Sequence, residues 1–346
     1  MRLLIISDAW EPQINGVVRV YQNIARELRA MGHTVGVIGP DQFLSVPMPG
    51  YNEIKLSLFP ARKLTTLIKK FAPDRIHIAV EGPLGYAARA YCLKHNKPFT
   101  TFFHSQFPDY VATRVKWMGA YLTKAIRNLM IESARSFHAP ARATYVATQS
   151  LSDQLRGWGM EQPFVRIAFG VDFALFHTGP RNLFPNLARP IHLYVGRVAV
   201  EKNIEAFLAL PLEGSKVIVG QGPQLEELKR AYPEVIFTGP KQGQMLGDHY
   251  RSADVFVFPS KTDTFGLVLI EAMACGLPVA AYNVTGPKDI VTDASLGGVA
   301  DGLYDAIMLA YTSKGSPDAR FEHAKKLYSW PAIAKTFLET ETMAQQ

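Results

Sequence analysis

Cysteine is scarce. Cys92 and Cys275 are the two in 346 residues. Both fall in apolar helical stretches and are read as reduced core residues. No Cys/His spacing suggests zinc. Long hydrophobic runs are missing too. The longest are under about ten residues or are interrupted by a charge, against the ~20 that a spanning helix needs. Leu3 to Ser7 is too short for the apolar core of a secretory signal, and Asp8 follows it, so no leader is expected. The loop after the first apolar run, Asp8 to Gly16, is not Gly-x-Gly-x-x-Gly, which makes a nicotinamide dinucleotide site a poor match. Internal repeats and low-complexity segments are absent. Acidic residues are short in one half only. Residues 1–170 carry 21 Lys and Arg against 11 Asp and Glu, whereas residues 171–346 carry 16 against 19. A basic half joined to a mildly acidic one implies that one lobe meets an anion: a membrane leaflet, nucleic acid or the phosphates of a substrate.

What is present is a globular chain long enough for two domains, 48% hydrophobic. Apolar strand-like runs alternate with helix-like ones. Arg2 to Ser7 reads as a strand, Val17 to Met31 as a helix closed by Gly32, and Thr34 to Ile38 as the next strand, which is a βαβ unit. The same order recurs at Phe258 to Ile290. There Val255 to Phe258 is a buried strand, Lys261 to Thr264 a polar loop, Gly266 to Cys275 a helix, and Val279 to Tyr282 a second strand. In such a unit the loop at the strand's carboxyl end faces the ligand, and the helix N-terminus offers unpaired N–H groups to phosphate. Asp263 and Glu271 flank that spot, with seven residues between them. Glu271 lies in an apolar run, where a charge is costly without a partner. Arg197 and Lys202, five apart in GRVAVEKN after the strand PIHLYVG, can converge on one anion, the one as a planar fork and the other as a point charge.

The acid-x7-Glu spacing, with Phe-Gly after the first acid and Glu-Ala-Met-Ala around the second, resembles the signature of the retaining glycosyltransferases of family 4. Asp263 departs mildly from it, since Glu is more usual there. The resemblance covers nearly the whole chain and also takes in Asn15-Gly16-Val17, the Gly-Arg…Glu-Lys-Asn run and the Gly170-Val171-Asp172…Phe176 connection. It implies the α/β GT-B fold, two Rossmann-like doubly wound lobes with a donor cleft. The implied division is residues 1–170 as an acceptor- and membrane-facing lobe, 171–189 as linker, 190–325 as the nucleotide-sugar lobe, and 326–346 as a helix crossing back to the first. Catalysis is implied for Arg197, Lys202, Asp263 and His104. Donor binding is implied for Gly16, Arg197, Lys202, Thr238, Gly239, Phe265, Gly266, Leu267 and Glu271. Glu271 would take the ribose, Asp263 a sugar hydroxyl, and the N–H groups of 265–267 the diphosphate. The family uses no metal, no Asp-x-Asp motif is present for one, and no cofactor is expected.

His104 ends the strand-like run Pro98 to Phe103. Taken alone it fits a hydrogen-bonded structural His as well as a reactive one; the resemblance places it beside the donor sugar. Gly16 is by itself a plain turn glycine. From Asp109 to Phe137, Arg114, Lys116, Trp117, Met118, Tyr121, Lys124 and Arg127 interleave basic and bulky apolar side chains with few acids. That is what an interfacial helix on anionic lipid needs, although an ordinary amphipathic helix with Trp117 in the core has the same pattern.

The expected activity is transfer of a hexose or hexuronic acid, with retention, from UDP-glucose or UDP-glucuronate to diacylglycerol. DAWEPQINGVVRV and HSQFPDY look similar to bacterial diacylglycerol glycosyltransferases. A GDP-mannose-dependent mannosyltransferase on another lipid or polyprenol carrier stays open, as does a membrane-docking protein that holds a nucleotide sugar without turnover. Expected partners are the nucleotide-diphosphate sugar, a lipid acceptor and an anionic membrane surface, without nucleic acid. The expected location is the cytoplasmic, inner face of the cell membrane, as a peripheral protein.

Overall fold

A computed structural model describes residues 1–13, 16–48, 51–104 and 119–343. The chain forms two compact units: Met1–Phe169 with the chain from Trp330 onward, and Gly170–Ser329.

The first unit alternates β1 (Arg2–Ile6), α1 (Gly16–Ala30), β2 (Thr34–Ile38), β3 (Ser45–Met48), β4 (Tyr51–Ser57), α2 (Ala61–Phe71), β5 (Arg75–Ile78) and α3 (Pro83–Lys94). It continues with β6 (Thr100–Phe102), α4 (Ala120–His138), β7 (Ala143–Val146), α5 (Gln149–Gly157) and β8 (Phe164–Arg166). Six strands form one parallel sheet in the order β2-β1-β5-β6-β7-β8. Parallel strands need a crossover at every step, and the helices supply it while covering both faces. This is why β1, β6 and β7 read as unbroken apolar or Thr-rich runs rather than alternating ones. Helix α1 buries Val18, Tyr21, Ile24, Ala25 and Leu28, a stripe at helical spacing. The antiparallel hairpin β3–β4 was not foreseen; Pro47 in β3 fits a short edge strand.

The second unit runs β9 (Ile191–Val195), α6 (Ile204–Leu208), β10 (Ser215–Val219), α7 (Leu225–Ala231), β11 (Ile236–Phe237), α8 (Gly243–Ser252) and β12 (Val255–Phe258). It closes with α9 (Leu267–Ala274), β13 (Val279–Tyr282), α10 (Pro287–Ile290), β14 (Gly297–Ala300), α11 (Leu303–Tyr311) and α12 (Pro317–Leu327). Its sheet is wholly parallel, ordered β11-β10-β9-β12-β13-β14. Every residue of β9, β12 and β13 is buried.

Two expected boundaries move. Residues 171–189 are not a free linker. Arg181 and Arg189 both pair with Asp254 at 2.6 Å, and Phe176 packs edge-on against Tyr250, which fastens the segment to the second unit. The return helix α13 (Trp330–Met343) begins at Trp330 rather than 326, because α12 ends at Leu327 and stays with the second unit. Helix α13 packs on α1 and buries Trp330, Ile333, Ala334 and Phe337. Both cysteines are free and buried, and burial pushes each thiol up to about 12. Among the described residues no helix is long and apolar enough to cross a membrane.

Candidate active site

Strand order locates the site in the second unit. From β9 the chain winds outward to β10 and β11, and from β12 in the opposite direction to β13 and β14. The loops leaving the carboxyl ends of β9 and β12 therefore diverge and leave a crevice between them. Those loops are 196–203 and 259–266, and they carry Arg197, Lys202 and Asp263.

The two loops are fastened together. Asn203, at a left-handed φ of 53°, donates from Nδ2 to the Pro259 carbonyl at 3.1 Å. Lys202 Nζ meets Asp263 Oδ1 at 2.6 Å, with both side chains about three-quarters buried. The other carboxylate oxygen, Asp263 Oδ2, is buried without a hydrogen-bond partner, and so is Ser260 Oγ on the same loop. A buried carboxylate oxygen without a donor costs free energy, so this oxygen is able to accept from a bound group. Arg197 is half-buried on the first loop, and its carbonyl accepts from the Tyr194 hydroxyl at 2.9 Å.

Helix α9 begins where the loop after β12 ends. Gly266 caps it at φ +92°, a conformation that a side chain would strain. The N–H groups at the start of α9, those of Leu267 and Val268, carry the positive end of the helix dipole, while Leu269 N–H donates to the Gly266 carbonyl at 2.9 Å. Phe265 is buried and packs edge-on against Tyr328. Gly286 (φ +93°) lies under this loop, where a Cβ would sit 2.9 Å from the Asp263 carbonyl oxygen. Glu271 is buried within α9, and its Oε2 accepts from the Tyr250 hydroxyl at 2.8 Å. Thus the costly charge read from the sequence does have a partner, supplied by α8. Thr238 and Gly239 follow β11 at the sheet's edge; the Gly239 carbonyl accepts from Gly220 N–H, and Lys241 Nζ donates to the Thr238 carbonyl at 2.6 Å. Lys261 lies over the Tyr282 ring at 4.1 Å.

The first unit holds the other expected residues. Gly16 opens α1. His104 follows β6 and is buried, with Nε2 2.9 Å from the Tyr21 hydroxyl. Its ring stacks on Phe102 at 4.0 Å and faces Phe169 at 5.9 Å. Burial, reinforced by His77 and His138, holds its pKa well below the ordinary 6.5, so the ring is neutral at physiological pH. Asp8, in the loop after β1, accepts from the Leu84 and Gly85 N–H groups at 3.0 Å and caps α3. Burial raises its carboxyl to about 6 despite those two bonds.

Of the expected membrane residues, Tyr121, Lys124 and Arg127 lie on α4. Tyr121 is 89% exposed, Lys124 is exposed, and the Arg127 guanidinium lies 5.7 Å over the Trp158 ring. Arg114, Lys116, Trp117 and Met118 lie outside the described residues. Tyr250, Tyr21 and Asp8 are not singled out by the sequence. For Asp8 a signal exists, a charge following a buried strand; nothing in the sequence links Tyr250 to Glu271.

The family model described as Glycosyltransferase Family 4 matches residues 14–175, and that described as Glycosyl transferases group 1 matches 189–312. A sulfoquinovosyl transferase of Arabidopsis thaliana is 29% identical over 321 residues, covering 82% of this chain and 60% of that protein. The chain therefore spans less than two thirds of that relative's length. A GDP-mannose-dependent alpha-mannosyltransferase of Mycobacterium tuberculosis is 29% identical over 326 residues, covering 86% and 83%. An alpha-monoglucosyldiacylglycerol synthase of Streptococcus pneumoniae is 26% identical over 371 residues, covering 95% and 82%. Among solved structures, a sucrose-phosphate synthase from Thermosynechococcus elongatus superposes with a TM-score of 0.77 at 22% identity, covering all of both chains.

Proposed function

We propose that this chain, which belongs to the family 4 glycosyltransferases and has their GT-B fold, moves a hexose or hexuronic acid from a nucleotide-diphosphate sugar to a lipid hydroxyl with retention. The observation that carries this reading is the Lys202–Asp263 pair at the β9/β12 switch point, with a buried carboxylate oxygen still bare beside it. Asp263 Oδ2 accepts from a hydroxyl of the donor sugar. Glu271, steadied by Tyr250, takes the ribose. Arg197, Lys202 and the N-terminus of α9 draw charge from the diphosphate as it leaves, the work a divalent cation does in other enzymes. In the reaction the bond from the anomeric carbon to the phosphate oxygen breaks and the bond to the acceptor oxygen forms on the same face. The acceptor's proton passes to the departing phosphate.

UDP-glucose or UDP-glucuronate is the proposed donor and diacylglycerol the proposed acceptor. The support is the glycolipid synthase among the relatives, together with a first half rich in Lys and Arg. Helix α4 adds an exposed Tyr121, a 69%-exposed Leu129 and an exposed Lys124, the mixture that an anionic leaflet attracts. The mannosyltransferase relative supports GDP-mannose as the second reading.

Arg197→Ala and Asp263→Asn test the site. Each is expected to lower transfer by about 100-fold or more while circular dichroism stays native, as for loss of one transition-state hydrogen bond or ion contact. Turnover within a few-fold of the parent protein in both variants would remove the assigned roles.

A further inference from the structure

Strand β9 delivers the chain into the loop that carries Arg197. All of its residues are buried, and Tyr194 is the one among them with a hydroxyl. A phenol hydroxyl inside a parallel sheet needs an acceptor. Here the acceptor lies three residues further along the same chain. The backbone turns at Gly196, and the Tyr194 hydroxyl donates to the Arg197 carbonyl at 2.9 Å. A carbonyl oxygen can only accept, so the direction of this bond is fixed. Burial, reinforced by the Asp263 and Glu201 carboxylates, holds the Tyr194 pKa well above the ordinary 10, so the hydroxyl keeps its proton at physiological pH.

Room for this bond is built into the sequence. A Cβ at Gly196 would lie 2.7 Å from the Tyr194 oxygen and 3.1 Å from the ring carbon that bears it, so glycine lets the loop close over the hydroxyl. The Arg197 carbonyl and the Val198 N–H belong to one planar peptide unit. That N–H donates to the Gln221 carbonyl at 2.9 Å. The unit is thus held at both ends, by the Tyr194 side chain and by the loop after β10. The unit before Arg197 is confined as well. Its carbonyl, that of Gly196, lies so close to Gly220 that a Cβ there would sit 1.8 Å from the oxygen. Lys202 is fastened separately, by Asp263 and by the bond from Asn203 to the Pro259 carbonyl. Removing the Tyr194 hydroxyl therefore frees one end of the unit that follows Arg197 and leaves the Lys202 end of the loop as it was.

We propose that Tyr194 is a positioning residue for Arg197: its hydroxyl, bonded to the Arg197 carbonyl, sets the peptide unit on which that side chain stands and so aims the guanidinium at the leaving diphosphate. This role rests on the reading that Arg197 draws charge from the diphosphate; the bond itself does not. A small rotation of the 197–198 unit turns the Arg197 Cα–Cβ bond, and the length of the side chain magnifies the shift at its tip. The phosphate-facing end of the crevice is then tuned from inside the sheet, by a residue that touches no substrate.

The test is a double-mutant cycle on the full chain. Tyr194→Phe keeps the ring and removes the hydroxyl. Two quantities are read in the parent protein, Tyr194→Phe, Arg197→Ala and the double variant. One is the dissociation constant for UDP and for GDP by calorimetry. The other is kcat for nucleotide release from UDP-glucose, UDP-glucuronate and GDP-mannose. Tyr194→Phe is expected to fold, to lower kcat by about 10-fold with the KM for the donor little changed, and to weaken the bound nucleotide by a smaller factor. In the Arg197→Ala background the same change should have almost no further effect, because the side chain it aims is gone. A merely structural role would give the same factor in both backgrounds. Gly196→Ala, which pushes a methyl against the Tyr194 hydroxyl, takes the place of Tyr194→Phe if that variant does not fold, with the same loss and the same cycle expected. Equal factors in the two backgrounds, or parental kcat and nucleotide binding in folded Tyr194→Phe, would overturn the proposal and leave the role of Arg197 standing. Parental values in Arg197→Ala, or a parent protein that binds neither nucleotide, would remove the reading of Arg197 and the proposal with it.

Discussion

Single residues carry most of the chemistry here, and several are held in energetically exposed positions. Asp8 shows how that reads out in stability. Its carboxyl rises from the ordinary 3.8 to about 6 in the folded chain because burial outweighs the two N–H groups of α3 that it caps. The folded state then binds the proton more tightly than the unfolded state. The stability this provides is complete below pH 3.8 and is lost as pH rises to about 6, on the order of 3 kcal/mol. Asp8→Asn is expected to flatten that part of the stability profile between about pH 4 and 6, as measured by urea unfolding. Equal slopes in the two proteins would contradict the cause assigned. Arg197, Lys202, Asp263 and Glu271 were legible because their spacing sits on a strand–loop–helix pattern that places them at one end of a sheet. Tyr250 and Tyr21 were not. Each is an ordinary apolar-face residue in its own helix, and only the fold brings its hydroxyl to Glu271 or to His104.

At the scale of elements, the sheets were legible for a physical reason. Central parallel strands are buried on both faces, so β9, β12 and β13 appear as unbroken apolar runs between turn residues. Segments fixed by long-range contacts were not legible. The stretch 171–189 has the Gly and Pro content of a linker, yet Asp254 holds it through two arginines. Helix α13 tests how much such contacts matter. Phe337 is fully buried against His77 and Tyr145. Phe337→Ala should destabilise the first unit by about 3–5 kcal/mol, the usual range for removing a core aromatic. Hydrogen exchange should quicken in α13, β5 and β6 and stay unchanged in β9 to β14. Uniform change across both units would show that α13 is not confined in its effect to the first.

For the molecule as a whole, charge and topology divide the labour. Most of the proposed donor-side residues lie in the mildly acidic half, with its wholly parallel sheet, and the basic excess lies in residues 1–170. The proposed lipid acceptor would require the enzyme to meet a surface as well as a nucleotide sugar. The exposed Tyr121, Leu129 and Lys124 of α4 and that basic excess are the features on which the proposed contact with an anionic leaflet rests. The most direct measurement is a transfer assay. Purified protein is incubated with anionic vesicles containing diacylglycerol and, in parallel, UDP-glucose, UDP-glucuronate or GDP-mannose, and the lipid extract is analysed by mass spectrometry. The account predicts a diacylglycerol hexoside or hexuronoside from one of the UDP-sugars, abolished by Arg197→Ala. No glycosylated lipid from any of the three donors would contradict it.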